Sequence, residues 1–296
     1  MRHAPIGGIT LAILATACFT LNDTVLKLAM QDIPPFQAMA LRSLTVVLVG
    51  LLLLRPIGYR QSLQMMLDGK VQMRNLFELI TAFCFIIGLR HASIADLTAL
   101  AQTAPILLVL GAAVFLGERL RPLQLILMVF AFVGAVMVAQ PSLDGVSPYA
   151  LFGLLAAIAA AARDLVSRRM NARIPAMVVI FGAGVIEVIG AGAAGVLTEV
   201  WVMPPPFAFL LTCASGVFLM VAHGLIIGAL RASNITTVAP FLYMSTFWAL
   251  ASGLLVFGTV PNGLGLMGMV FIVVSGICIV GADRWSRRTF DMHHLP

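Results

Sequence analysis

Residues 21–34 read LNDTVLKLAMQDIP, and residues 162–175 read ARDLVSRRMNARIP. The second stretch lies 141 positions after the first, so that Asp23 falls on Asp164. Four positions later a lysine falls on an arginine, and both stretches end in Ile-Pro. Matches between apolar residues carry little information in a hydrophobic chain, whereas matches of acid, base and proline carry more. The two stretches therefore indicate an internal repeat.

The same offset holds far along the chain. Gly117 falls on another glycine, and Met-Val-Phe at 128–130 falls on Met-Val-Phe at 269–271. One offset therefore serves both the beginning and the end of the repeated unit. We expect two homologous units, the first at residues 1–140 and the second at residues 141–296.

The composition is that of a membrane protein. Of the 296 residues, 61% are hydrophobic and only 10% are charged, and the mean hydropathy is +1.05. Soluble proteins carry about 25% charged residues, so this chain has too few polar groups to cover a globular surface. The net charge of +6 would favour nucleic-acid binding in a soluble protein. Here most basic residues lie in short loops, and no nucleic-acid partner is expected.

Ten apolar segments come close to the ~20 residues that a helix needs to cross a bilayer. Proline, glycine and charged residues separate them. The sequence therefore predicts an all-α membrane protein of ten transmembrane helices, and a short interfacial helix in the polar loop at 55–72. The first apolar segment is too long for a signal peptide, so we expect it to be kept as a helix. The predicted spans are 5–29, 35–54, 73–90, 94–116, 123–140, 148–168, 176–198, 207–229, 235–257 and 262–282.

The basic residues predict the orientation in a bacterial inner membrane. Fourteen of the 18 Lys and Arg residues lie at the termini and in loops on one side, and only Lys27 and Arg90 lie on the other. Cytoplasmic loops are enriched in Lys and Arg, so both termini are predicted to be cytoplasmic. Five helices per unit is an odd number, and the second unit would enter the membrane from the opposite side. Such inverted repeats are typical of secondary transporters.

The arrangement resembles a known family. Residues 104–107 (APIL), 115–119 (FLGER) and 41–43 (LRS), within a five-plus-five plan, are similar to the EamA-type branch of the drug/metabolite transporter superfamily. The resemblance implies a cavity between the two halves, with the fifth and tenth helices more peripheral. It also implies transport of amino acids, vitamins, nucleotide-like compounds or other metabolites. The second half departs from the first, because Thr259 stands where Glu118 does.

Charged residues inside the membrane are costly, and they are therefore candidates for function. Asp23 and Lys27 are separated by four residues in the first helix, and Asp164 and Arg168 repeat that spacing in the sixth. Each pair could be an intrahelical ion pair that lowers the cost of insertion. Alternatively, one aspartate could leave its pair and bind substrate or a proton.

Arg42 and Glu187 are predicted to lie deeper. Arg42 stands about seven residues into the second helix, where it could bridge to Asp23 or bind a substrate carboxylate. Glu187 stands near the midplane of the seventh helix, among glycines and without a basic residue within two turns. A lone buried carboxyl favours its protonated form, which suits a proton-coupling site. A hydrogen bond to a neighbouring helix is the alternative.

Three further residues complete the candidate site. His223 lies deep in the eighth helix and is either a hydrogen-bonded core residue or a proton relay. Gln102 and Tyr243 occupy equivalent positions in the two units, and both could face the cavity. Pro105 and Pro240 could kink the helices beside them.

Other polar residues have structural explanations. Glu78 follows Arg74 by four residues, which predicts an interfacial salt bridge. Asp96 is expected to cap the fourth helix. The cysteines lie in apolar segments and are expected to be core residues rather than disulfide partners or metal ligands. They are Cys18, Cys84, Cys213 and Cys278.

The sequence contains no ATP-binding, metalloprotease or serine-hydrolase motif, so neither an enzyme nor a cofactor is expected. The predicted function is secondary transport, with export as the expected direction, of a small polar or zwitterionic metabolite such as an amino acid. A carrier of a larger cofactor-like or nucleotide-like compound is the alternative, and a membrane receptor or intramembrane enzyme is a remote one. The expected partners are the substrate, the lipid bilayer and candidate coupling protons. Small-residue faces could serve a homodimer or internal packing.

Overall fold

The computed structural model describes residues 5–91, 94–140, 148–258, 260 and 262–292. Within these ranges the chain is helical and has no strand. Two short 3₁₀ helices, Pro148–Ala150 and Ala239–Tyr243, adjoin the α-helices. The α-helices are α1 (Pro5–Ala29), α2 (Pro35–Leu53), α3 (Tyr59–Met66), α4 (Gly69–His91), α5 (Ile94–Ala101), α6 (Ala104–Leu116), α7 (Pro122–Ala139), α8 (Leu151–Arg169), α9 (Ala176–Thr198), α10 (Pro206–Ala232), α11 (Ile235–Val238), α12 (Met244–Phe257) and α13 (Gly263–Met292).

Every predicted span coincides with one helix or with consecutive helical pieces. The bounds of α1 are those predicted, and α3 is the short helix expected in the loop at 55–72. Eight segments of the described residues are long and apolar enough to cross a membrane. Two predicted spans lie outside that count. The helix α8 carries four charged residues, and the apolar part of α13, Gly263–Ile279, is shorter.

Two of the spans are broken in the middle. The fourth predicted span consists of α5 and α6, which are separated at Gln102 and Thr103. The ninth consists of α11, the 3₁₀ helix Ala239–Tyr243 and α12. Pro105 lies in the first turn of α6, and Pro240 lies in that 3₁₀ helix. Proline lacks the N–H that a helix interior requires, so the predicted kinks are breaks.

Helix boundaries recur at the offset of 141 residues. The helices α2 and α9 both begin after a proline with extended backbone, Pro34 and Pro175. The helices α6 and α12 both end at a glycine in the left-handed conformation, Gly117 with φ 67° and Gly258 with φ 65°. Such a C-terminal cap favours glycine, which has no Cβ to clash. The two halves therefore share local structure at corresponding positions.

The packing follows the same correspondence. The helix α1 packs against α10 as α8 packs against α4, while α2 packs against α9 and α7 against α13. At the last contact, a Cβ on either Gly134 or Gly268 would overlap the carbonyl oxygen of the other. A Cβ on Gly184 would likewise meet Val46 across the α2–α9 contact. These small residues serve packing within the chain.

Candidate functional site

A cavity of about 170 Å³ lies where the two broken spans meet α1, α8 and α10. Because a water molecule occupies about 30 Å³ in the liquid, the cavity has room for roughly five or six waters. Pockets for drug-sized ligands are larger, at about 300–1,000 Å³. Apolar side chains form most of the wall. The polar lining consists of Thr16, Gln102, Arg163, Asp164 and Ser245.

Arg163 and Asp164 supply the charges of this cavity. The Nε of Arg163 donates to Oδ1 of Asp164 at 2.8 Å, and its Nη1 lies 3.3 Å from both carboxylate oxygens of Glu78. Among the described residues, Nη2 of Arg163 and Oδ2 of Asp164 have no hydrogen-bond partner. Both side chains line the cavity, which therefore has a cation and an anion on adjacent residues of its wall.

The broken helices contribute polar groups beside this pair. The Nε2 of Gln102 donates to Oγ1 of Thr246, which ties the break between α5 and α6 to α12. The N-terminal residues Ala104 of α6 and Ser245 of α12 line the cavity, and helix N-termini carry a partial positive charge. Tyr243, the equivalent of Gln102, is fully buried, and its hydroxyl has no partner within the described part of the chain. Of the two equivalent residues, Gln102 lines this cavity and Tyr243 does not.

Glu78 is the centre of a buried charge cluster next to the cavity. Its carboxylate lies 2.9 Å from Nη2 of Arg74, 2.9 Å from Nε2 of His223 and 3.3 Å from Arg163, so it joins α4, α10 and α8. The salt bridge with Arg74 is confirmed, and the side chain of Arg74 is only 1% exposed. The position of the pair at the membrane interface stays a prediction. The helix α4 begins at Gly69, four residues before the predicted start, and α8 and α9 pack against it.

His223 is buried between this cluster and α1. Its Nδ1 lies 3.1 Å from the carbonyl oxygen of Leu219, and its ring meets the ring of Phe19 edge-on, with centroids 5.0 Å apart. It is therefore hydrogen-bonded, as the first of its two interpretations required. Because its other nitrogen faces Glu78, the proton-relay interpretation also stays open.

Arg42 and Glu187 form a second buried cluster, between α2 and α9. The Nη2 of Arg42 lies 2.8 Å from Oε1 of Glu187, and the hydroxyl of Ser43 donates to Oε2. The expected bridge from Arg42 to Asp23 is absent among the described residues, and Glu187 is not isolated. Both expectations were based on residues in the same helix or in the next helix along the chain. The packing of α2 on α9 instead brings Arg42 and Glu187 together.

The repeated Asp and basic residues of α1 and α8 do not form their intrahelical pairs within the described chain. Asp23 is exposed and accepts a hydrogen bond from Asn22 at 2.8 Å. The Nζ of Lys27 lies 4.6 Å above the ring of Phe257. In α8, Asp164 pairs with Arg163 instead of Arg168. The i,i+4 spacing therefore did not identify the partners in α1 and α8, whereas it did for Arg74 and Glu78 in α4.

The sequence interpretation underestimated three residues. Arg163 is not among the candidates drawn from the sequence, and Arg74 and Glu78 are there assigned to a structural salt bridge. The adjacent opposite charges at 163 and 164 within an apolar helix were the signal that could have identified the cavity wall. The side chain of Asp96 lies outside the described residues. The expected core position of the cysteines is not observed: Cys18, Cys84 and Cys213 are half-buried, and Cys278 is exposed.

Comparison with known proteins identifies relatives. Residues 6–140 match the EamA-like transporter family. The chain is 28% identical over 277 residues to the pseudopaline exporter CntI of Pseudomonas aeruginosa, covering 92% of this chain and 95% of that protein. It is 27% identical over 197 residues to the riboflavin transporter of Rhizobium johnstonii, covering 66% of this chain and 65% of that protein.

More distant similarity extends the comparison. The S-adenosylmethionine uptake transporter of Rickettsia conorii is 21% identical over 197 residues, which cover 67% of this chain and 66% of that protein. A protein of known crystal structure superposes with a TM-score of 0.75 at 23% identity, over 95% of this chain and 98% of that one, and supports the fold alone. The family and these named relatives are transporters and not enzymes. The chain therefore carries an EamA-like transporter family domain over residues 6–140 and is a multi-pass membrane transporter of small molecules.

Proposed function

We propose that the chain is a secondary transporter that moves a small polar or zwitterionic metabolite, such as an amino acid, by alternating access. Ten transmembrane helices would form two inverted five-helix repeats, residues 1–140 and 141–296, in a bacterial inner membrane with both termini cytoplasmic. The recurring helix boundaries and the symmetric packing support this plan. The broken spans at its centre are typical of secondary transporters.

The plan requires α8 and α13 to cross the membrane. The charges of α8 near its centre are Arg163 and Asp164, which pair with each other and with Glu78. Such pairing lowers the cost of charge inside a bilayer. The helix α13 continues from Gly263 to Met292, which is longer than the ~20 residues that a span needs. Both helices are therefore compatible with the sixth and tenth spans.

The observation that carries the substrate class is the adjacent donor and acceptor in the cavity. The free Nη2 of Arg163 suits a carboxylate, since guanidinium groups bind carboxylates strongly. The N-termini of α6 and α12 favour the same negative group. The free Oδ2 of Asp164 suits an ammonium group. A zwitterion small enough for about 170 Å³ satisfies all of these groups together.

The expected site residues take different roles in this proposal. Asp164 and Gln102 bind substrate, and Asp23 lies on the path to the cavity. His223 couples transport to protons, and Tyr243 supports the cavity wall from behind. Arg42 and Glu187 form a fixed ion pair between the two halves, with proton coupling by Glu187 as the competing role. Export is the proposed direction, because the similarity to an exporter spans 92% of the chain.

A carrier of a larger cofactor-like compound is the second candidate. Its support is the similarity to riboflavin and S-adenosylmethionine transporters over about two thirds of the chain. Such a substrate needs a cavity that widens well beyond about 170 Å³ during the cycle. It would also place Arg163, rather than Asp164, at the centre of binding.

Proteoliposomes separate the two candidates. They are supplied with the twenty common amino acids, riboflavin and S-adenosylmethionine, and the accumulated compounds are identified by mass spectrometry. We expect amino acids to accumulate with the wild-type protein. Asp164→Asn should reduce the initial rate by roughly 100-fold. The substitution removes the carboxylate that would bind the substrate ammonium group, and it leaves the buried Arg163 beside a neutral amide. Asp32→Asn, at an exposed position, is the matched control and should leave the rate unchanged.

The outcomes are distinct. Accumulation of riboflavin or S-adenosylmethionine without amino acids would favour the second candidate. Equal rates for Asp164→Asn and Asp32→Asn would remove Asp164 from the site. If folded wild-type protein accumulated none of the supplied compounds, both candidates would fail for these substrates.

A further inference from the structure

The short helix α3, between the second and third predicted spans, has one face against the protein and another away from it. On the first face Met66 packs on α9, where a Cβ on Gly182 would meet its side chain. On the other face Tyr59, Leu63 and, at the end of the helix, Leu67 follow each other at a spacing of four residues. Each of these three is more than half exposed, and we call them the α3 stripe. Exposed apolar patches mark contacts with a membrane, a protein or a ligand.

The α3 stripe adjoins the ends of two membrane spans. The hydroxyl of Tyr59 donates to the carbonyl oxygen of Leu51 at 3.1 Å, near the end of α2, where Leu52 is exposed as well. At the beginning of α4, Met73 and Leu76 are exposed. Both α2 and α4 are long and apolar enough to cross a membrane, so the helix between their ends lies at the edge of the bilayer. An amphipathic helix at this depth inserts its apolar face among the acyl chains.

Two arginines beside the stripe have unused hydrogen-bond donors. The Nε of Arg55 donates to the hydroxyl of Tyr59 at 3.4 Å, and among the described residues its two Nη groups have no partner. Arg60 is exposed and makes no hydrogen bond or ion pair within the described chain. It follows Tyr59 by one residue, which places it about 100° around the helix, at the edge of the stripe. A guanidinium beside an inserted apolar face reaches the headgroups and binds phosphate through two N–H groups.

The charge of these arginines is not compensated within their segment. Residues 55–72 contain three basic residues and one acid, a net charge of two positive units. The acid, Asp68, accepts hydrogen bonds from the N–H groups of Lys70 and Val71, and it thereby caps α4. The Nζ of Lys70 donates to the carbonyl oxygen of Arg169, which is a neutral acceptor. The surface therefore favours an anionic partner.

We propose that the α3 stripe, together with Arg55 and Arg60, is a binding surface for an anionic phospholipid. The acyl chains pack on Tyr59, Leu63 and Leu67, and the phosphate binds the two guanidinium groups. Binding of this lipid does not depend on which compound the protein transports.

A second copy of the chain fits this surface less well. A twofold dimer would place the same patch of each copy against the other. Arg55 and Arg60 of both copies would then face each other, and like charges across an interface repel. An anionic headgroup instead neutralises both arginines while its acyl chains cover the stripe.

Fluorescence quenching by brominated lipid shows which lipid touches the stripe. The three native tryptophans are replaced by phenylalanine, and Leu63→Trp supplies a single tryptophan. Purified full-length protein is placed in bilayers of phosphatidylglycerol and phosphatidylcholine, with bromine on one lipid and then on the other. The two quenching curves give the relative affinity of the two lipids at residue 63. If the chain without native tryptophans does not fold, a fluorophore on Leu63→Cys, in a background without native cysteines, gives the same measurement.

We expect phosphatidylglycerol to be preferred by roughly 25-fold, since each arginine near an anionic surface contributes roughly fivefold. Arg55→Gln/Arg60→Gln should bring the ratio of affinities to about one. Arg119→Gln/Arg173→Gln, which removes two exposed arginines elsewhere, is the matched control and should retain the preference. Raising the salt from about 0.1 M to about 1 M should weaken the preference while the arginines are present, because the Debye length falls from about 10 Å to about 3 Å.

Equal affinity of the two lipids at residue 63 would overturn the proposal. A preference for phosphatidylglycerol that survives in Arg55→Gln/Arg60→Gln would do the same. If neither lipid quenched the fluorescence of folded protein, another protein surface would cover the stripe and the lipid would be excluded. Cross-linking through Leu63→Cys would then reveal whether that surface belongs to a second copy.

Discussion

The ends of α1 and α8 carry equivalent residues in opposite surroundings. In α1, Asp23 and Lys27 are both exposed. In α8, Asp164 is buried, and Nη1 of Arg168 donates to the carbonyl oxygen of Leu230 at 2.6 Å. The same pattern of an acid and a base therefore lines an open end in one half and seals a closed end in the other. Two repeats that can exchange these states would open a central cavity to each side in turn.

Polar residues continue from the cavity along one face of α1. Thr16 lines the cavity, and Thr20, Asp23 and Lys27 follow at helical spacing on the same face. This row of polar residues runs from the cavity to the exposed pair. No equivalent path leads along α8 in the described residues, because Arg168 is bonded across it to the end of α10.

Other contacts close the same end as Arg168. The side chain of Arg169 donates to the carbonyl oxygen of Phe115 at the end of α6. The carboxylate of Glu118 accepts hydrogen bonds from the N–H groups of Ile235 and Thr236, both at 3.0 Å. An acid at a helix N-terminus is stabilising. Glu118 has no counterpart in the second half, which is consistent with a closure specific to this end.

The largest expected effect is on the ion pair of Arg42 and Glu187, which joins α2 to α9. We expect Glu187→Gln to lower the free energy of unfolding by about 3–5 kcal/mol, since Arg42 would lose the charge that compensates its burial. Ser43→Ala, which removes only a hydroxyl donor to the same carboxylate, should cost about 1 kcal/mol. Unfolding in detergent measures both. A stable Glu187→Gln protein with no response to a pH gradient would instead make Glu187 the coupling residue.

The second effect is a difference in chemical access. In a background without the native cysteines, Lys27→Cys should react with a polar thiol reagent roughly 100-fold faster than Arg168→Cys. Several contacts of about 1.5–3 kcal/mol each close the end of α8. Some of them remain in Arg168→Cys and limit the access of the reagent. Ser62→Cys, at a buried position of α3, serves as the slow reference. Equal rates at 27 and 168 would contradict the open and closed assignment.

The helix positions were predictable from the sequence because length and hydropathy are local properties. The bounds of α1 agree, and the prolines at 105 and 240 indicated where two spans are interrupted. The repeat at Asp23 and Asp164 also predicted which helices correspond. None of these inferences required knowledge of which helices touch.

The ion-pair partners on different helices were not predictable, because they are residues far apart in the chain. Arg42 and Glu187 are 145 residues apart, and so are Glu78 and His223. The sequence indicated that each group would be buried, but its partner depends on the register between α2 and α9 or between α4 and α10. Local spacing suggested nearer partners, and tertiary packing supplied different ones.

The smallest effect tests whether the two ends exchange roles. Arg168→Ala removes hydrogen bonds that exist only in the closed state of its end, so it should shift the population toward opening there by roughly tenfold. If the two halves are equivalent, a second state exists in which the end of α1 is closed. In that state Lys27 contacts the end of α4, as Arg168 contacts the end of α10 here. Lys27→Ala should then shift the population by a similar factor in the opposite direction. Distances between spin labels on the two ends, measured in nanodiscs, report both shifts. A shift in only one variant would mean that the halves close by different contacts, with Glu118 providing the asymmetry.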